Sequence, residues 1–101
     1  MTKIINGSKY STETARCVAE WDNGVYGGNF ARCSESLYRT KSGKYFIHGD
    51  GGPMSRYAVH HGNDTSGGEA IIPMSEAQAR TWAEEHVDGE TYELIFGTVA
   101  E

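Results

Sequence analysis

Residues 37–48 constrain the fold more than any other segment of the chain. Leu37-Tyr38-Arg39-Thr40 and Lys44-Tyr45-Phe46-Ile47-His48 are rich in aromatic and β-branched side chains, which suit a pleated, half-buried surface. Between them, Lys41-Ser42-Gly43 supplies a turn of three or four residues, with Gly43 free to take a left-handed conformation. The segment therefore reads as a β-hairpin, with Leu37 and Arg39 on one face and Tyr38 and Thr40 on the other. A chain of 101 residues built around it has room for one small domain, residues 1–101. Eleven aromatic side chains supply large units of buried area and argue against disorder.

The remaining segments are placed around this hairpin. Asn6-Gly7 is the strongest two-residue turn signal and predicts an opening hairpin over residues 3–11. Ser11 or Thr12 then caps a helix over residues 12–21, with Ala15, Val18 and Ala19 as its apolar stripe and Asp22-Asn23-Gly24 as its stop. Gly49 to Pro53 breaks the second strand of the central hairpin, and Met54 to His60 forms a short helix with Tyr57 and Ala58 inward. Residues 22–29 and 61–68 are polar, glycine-rich loops, either connectors or recognition surfaces. Ala70 to Met74 is a third strand, confined to a sheet edge or ending there because Pro73 cannot donate a ladder hydrogen bond. Ser75 caps a helix over 76–87, with Ala79, Trp82, Ala83 and His86 on one stripe, and Glu90 to Phe96 forms a last helix ended by Gly97. The expected class is α+β: a short antiparallel sheet (N-terminal hairpin, central hairpin 37–48, strand near 70–73) packed against helices near 12–21 and 76–87.

Charge is distributed unevenly. Residues 1–62 carry eight Lys/Arg and five Asp/Glu, a balance of +3, whereas residues 63–101 carry Arg80 against nine carboxylates, a balance of −8. Such a half repels nucleic acid and attracts a basic surface. The sequence pI near 5.3 argues against phosphate contacts by the molecule as a whole, so direct nucleic-acid binding is not expected. No run of apolar residues approaches the length of a membrane span, and the N-terminus lacks the apolar stretch of a signal peptide. A cytoplasmic location follows, in which Cys17 and Cys33 are free thiols. The expectation is a monomer that does not engage membranes.

Signatures of catalysis are sparse. Gly49-Asp50-Gly51-Gly52 matches neither a P-loop nor a dinucleotide-binding fingerprint, and a tight turn accounts for its glycines. His48, His60, His61 and His86 have no metal-ligand spacing, the two cysteines lie sixteen positions apart, and there is no HExxH, so neither a metal nor another cofactor is expected. One enzymatic alternative stands: Cys33 as nucleophile with His48 on a neighbouring strand and Asp50 as the orienting carboxylate. Against it stands a binding role, in which Glu69, Glu76, Glu84, Glu85, Asp88, Glu90 and Glu93 pair with Lys and Arg of a partner and Tyr92 or Trp82 anchors the contact.

Several stretches carry a family likeness. Lys3-Ile4-Ile5-Asn6-Gly7-Ser8-Lys9-Tyr10, the hairpin from Leu37 to Gly49, Gly51-Gly52-Pro53-Met54-Ser55 and Ile71-Ile72-Pro73-Met74-Ser75 resemble short bacterial proteins carried on phages and mobile elements, some of them anti-CRISPR proteins acting on type I systems. The likeness spans residues 3 to 97 and brings turns, strand ends and a helix cap, with no catalytic residue to carry over. It implies a non-enzymatic inhibitor in the bacterial host cytoplasm. Such an inhibitor binds a basic, nucleic-acid-handling complex, the type I surveillance complex Cascade, through an acidic surface and blocks target DNA. A regulatory module of a mobile element with another partner is the remaining alternative.

Overall fold

The computed structural model describes residues 1–25 and 30–101; the expected loop at 22–29 therefore lies partly outside the described residues. The fold is α+β. Strands β3 (Arg16–Asp22), β4 (Cys33–Arg39), β5 (Tyr45–Gly51) and β8 (Gly68–Met74) form an antiparallel sheet in the order β3-β4-β5-β8. Two further hairpins flank it, β1 (Thr2–Ile5) with β2 (Ser8–Ser11) and β6 (Val59–His61) with β7 (Asp64–Ser66). Helices α1 (Glu76–His86) and α2 (Gly89–Phe96) close the chain.

The central hairpin forms as its sequence dictates. Gly43 takes φ +89°, and Thr40 and Lys44 close the turn through an N–H···O bond of 2.7 Å. The opening hairpin turns through Asn6 (φ 51°) and Gly7 (φ 78°), both left-handed, as a two-residue connection requires. β8 is an edge strand, so the missing N–H of Pro73 leaves no central ladder incomplete.

Direct partners in an antiparallel pair share a face, so the register sorts the sheet into two surfaces. Ala19, Leu37, Ile47 and Ile72 line up on one of them. Together with Tyr45 they pack under Ala79, Trp82 and Ala83 of α1, with Tyr92, Ile95 and Phe96 of α2 adding partly buried area. The other surface carries Tyr38, Phe46 and Ile71, covered by Tyr10, Ile5 and Met1 of the opening hairpin. Tyr10 meets Phe46 edge-on at 5.6 Å, and Tyr38 stacks on Phe46 at 5.1 Å. The opening hairpin thus covers only part of its side of the sheet, the part that holds the aromatic residues.

Four expectations are corrected. Residues 12–21 are not a helix. Ser11 accepts one turn-closing bond from Ala15 (2.9 Å), and the chain then enters β3. A bulge between Cys17 and Ala19 shifts the register, and Val18 joins Ala19 and Trp21 against the helical layer. That places adjacent apolar residues on one side, which in sequence mimics helical spacing.

Gly49 to Pro53 does not break β5, which runs through Gly51. Gly49, Gly51 and Gly68 leave room on the helix-facing surface for the segment 52–58. A Cβ on Gly49 would overlap the Tyr57 ring, one on Gly51 would stand 2.6 Å from the Arg32 carbonyl, and one on Gly68 would stand 2.5 Å from that of Tyr57. Met54 to His60 is not a helix either: Gly52 and Met54 donate to the carbonyls of Arg32 (2.8 Å) and Phe30 (2.7 Å), and two successive turns, closed by Ser55 N–H on the Gly52 carbonyl (3.0 Å) and Ala58 N–H on the Ser55 carbonyl (3.2 Å), lead into β6 at Val59. Tyr57 is buried as expected. Residues 59–66 then form a hairpin turning at Gly62 (φ +60°) and Asn63, where the end of that helix and the loop 61–68 were expected. No helix among the described residues is long and apolar enough to cross a membrane.

Candidate partner-binding surface

Both helices begin on strong caps. The Ser75 hydroxyl accepts from the Gln78 N–H at 3.1 Å, and the Gln78 side chain returns a bond to the Ser75 N–H at 2.9 Å. This reciprocal box satisfies two N–H groups that a helix start leaves unpaired. Asp88 caps α2 by accepting from the Thr91 N–H at 2.8 Å. Bonds from Thr91 hold its carboxyl below the usual carboxylate range. Because α2 starts three residues after α1 ends, the two helices meet at a corner formed by Val87 and Asp88.

Six of the seven carboxylates singled out from the sequence sit on this helical layer: Glu76, Glu84 and Glu85 on α1, Asp88 at the corner, Glu90 and Glu93 on α2. All six are exposed. Some are engaged. Glu76 pairs with Arg80 at 3.4 Å, and Glu93 accepts from the Val99 N–H at 2.7 Å. Arg80, the one Lys or Arg of the two helices, also donates to the Tyr92 hydroxyl (3.3 Å) and lies over the Phe96 ring (4.8 Å). Among the described residues, no cation pairs with Glu84, Glu85 or Glu90. Glu69 does not belong to this surface. It pairs across the sheet with Asp50 and meets His48 Nε2 at 2.9 Å, on the face opposite the helices.

A hollow of about 390 Å³ opens at the helix corner, lined by Glu84, Val87, Asp88, Gly89, Tyr92 and Val99. Two carboxylates stand at it beside an aromatic ring. Such a combination can take a guanidinium or ammonium group by charge and by cation–π contact together. Tyr92 is therefore placed to serve as an anchor. Trp82 is not: it is 5% exposed and faces the core.

A buried carboxylate under the helices escaped the sequence reading. Glu35 is 3% exposed. One oxygen accepts from the Trp82 indole N–H at 2.9 Å; the other accepts from Arg56 at 3.2 Å and from the Tyr57 hydroxyl. His86 approaches to 4.0 Å and packs against Trp21 at 4.2 Å between ring centres, the two rings tilted by 39°. Glu35 thus joins β4 to the segment 52–58 and to α1. Burial foremost, and then its bond to Glu35, pushes the Tyr57 hydroxyl well above the usual tyrosine range. The signal for Glu35 was the alternation itself: Leu37 faces the core, so Glu35 two positions earlier faces it too.

Cys33, His48 and Asp50 do not converge. Cys33 pairs with Gly51, whereas His48 pairs with Ser36 and Asp50 with Ser34, so the thiol and the other two groups occupy opposite faces. Burial first, and Glu35 second, push the Cys33 thiol up, away from thiolate reactivity at neutral pH. Asp50 instead meets Arg32 at 3.5 Å. Among the described residues no three His, Cys, Asp or Glu side chains are grouped to hold a metal ion. Compared with family models, with curated proteins and with solved structures, the chain matches none.

Proposed function

We propose that this chain is a non-catalytic inhibitor that docks the acidic α1–α2 layer onto a basic surface of a nucleic-acid-handling complex. The observation that carries the reading is the corner hollow, where Glu84 and Asp88 flank Tyr92 and, among the described residues, no Lys or Arg lines the cavity. Glu85 and Glu90, next in sequence to lining residues of the hollow, are exposed and free of cationic partners among the described residues. A surface of this kind presents spaced negative charge as a phosphate backbone does, and it competes with nucleic acid for a cationic groove. The resemblance to anti-CRISPR proteins supplies the class of partner: a type I surveillance complex, whose DNA channel is lined with positive charge.

The reading is tested by mixing the protein with a purified type I surveillance complex and measuring target-duplex binding by gel shift. The expected result is a saturable loss of DNA binding as protein is added, relieved by Glu84→Lys or Tyr92→Ala. Full DNA binding at saturating protein would remove this function. Phage plaque counts on a host with an active type I system provide the cellular counterpart, with plaques restored when the protein is expressed.

A further inference from the structure

A second cleft, of about 670 Å³, opens between the start of β3, the β4–β5 turn and the outer face of α2. Its volume lies within the range of small-ligand sites, about 300–1,000 Å³. Among the described residues, Arg16, Arg39 and Lys41 line it and no carboxylate does. Arg16 and Arg39 are direct cross-strand partners. Like charges opposed in this way destabilise a strand pair unless an anion lies between them. Among the described residues none of the three cations forms an ion pair; the Lys and Arg side chains that do are Arg32, Arg56 and Arg80. The Arg39 guanidinium lies over the Tyr45 ring, with its carbon 5.6 Å from the ring centre. Val18, Leu94 and Ile95 make the apolar part of the wall, and Leu94 is 87% exposed. In a chain of net charge −5, an unpaired cationic cleft with an apolar wall is a local reversal that the docking surface does not account for.

We propose that this cleft binds a small organic phosphate monoester, with its phosphate among Arg16, Arg39 and Lys41 and its organic body against Val18, Leu94 and Ile95. A phosphate monoester approaches two negative charges at neutral pH, which suits three cations better than a single carboxylate does. Guanidinium forks match phosphate oxygens in geometry, and the bound anion would offset the Arg16–Arg39 repulsion. The Cys17 thiol at the cleft stays protonated, because burial first and Glu20 second push it up, so it adds no opposing charge. This inference is independent of the acidic surface, and either can fail alone.

The test is a titration of the labelled protein with phenyl phosphate, followed by amide chemical shifts. Saturable shifts confined to residues 14–18, 39–43 and 91–95 are expected, with inorganic phosphate binding about tenfold more weakly for want of the apolar contact. Arg16→Gln and Arg39→Gln should each weaken phenyl phosphate by about tenfold or more, the loss of a charge-assisted contact. Leu94→Ser should weaken phenyl phosphate and leave inorganic phosphate unchanged. Without ligand, Arg16→Gln should melt at or above the wild-type temperature, since it removes a like-charge pair. Shifts that grow linearly and scatter over Lys3, Lys9 and Lys44 would overturn the proposal. So would equal affinity for inorganic phosphate, or tighter binding of a short oligonucleotide than of phenyl phosphate.

Discussion

Glu35 shows how much can rest on one side chain. A carboxylate removed from water is tolerated only when its oxygens are filled, and Trp82, Tyr57 and Arg56 fill them. Glu35→Gln replaces one acceptor oxygen with an N–H₂ group facing donors, and it should lower unfolding stability by about 3 kcal/mol in urea titration. Tyr57→Phe removes one of the same bonds and should cost about 1–3 kcal/mol. The double variant should cost less than the sum, because both changes act on one network. Tyr57 also sets an alkaline limit. Its folded-state pKa is raised, so the folded chain holds a proton that the unfolded chain releases above about pH 10. Stability is then fully present below that value and falls as pH rises past it. Melting temperatures measured from pH 8 upward should decline more steeply for wild type than for Tyr57→Phe; parallel curves would contradict this assignment.

At the scale of elements, the opening hairpin, the central hairpin, the edge strand with Pro73 and both C-terminal helices were legible because each has a local cause. Asn6-Gly7 and Gly43 adopt backbone angles that few residues accept, and Ser75 and Gly97 stand at helix ends. What was not legible depends on distant partners. Residues 16–22 become a strand because β4 offers an edge to pair with, and the bulge at Val18 disguises the alternation as a helical stripe. Gly49 and Gly51 read as a turn because glycine usually marks one. Here they are strand residues kept bare so that Tyr57 and Ser55 can lie across them. Gly49→Ala should therefore cost about 1–3 kcal/mol, the range of a side chain forced into filled space, although alanine is otherwise tolerated in strands. Gly62→Ala, where nothing stands within 4 Å, should cost less and only through its left-handed backbone. Ser75→Ala removes the α1 cap and should cost about 1 kcal/mol. Of the candidate site, the charges on α1 and α2 followed from helical placement. Glu69 was separated from them by a register that no local pattern reveals.

The whole molecule is a slab of 49 × 33 × 20 Å with its two broad sides unlike each other. One is a helical layer with six exposed Asp and Glu on α1, α2 and their corner, whose own sequence holds a single Arg, Arg80. The other is a sheet face only partly covered by the opening hairpin, with Glu69 and Asp50 engaged by His48 and Arg32. An asymmetric slab of this sort offers one charged side to a partner, and association driven by it should be fast and sensitive to salt. The most direct measurement is the affinity of the wild type and of Glu84→Lys/Glu85→Lys/Glu90→Lys for an immobilised type I surveillance complex, at low and at physiological ionic strength. Tight wild-type binding that weakens with salt is expected, with the triple variant weaker throughout and nearly insensitive to salt. Equal affinities for the two proteins at low salt, both folded, would contradict the account.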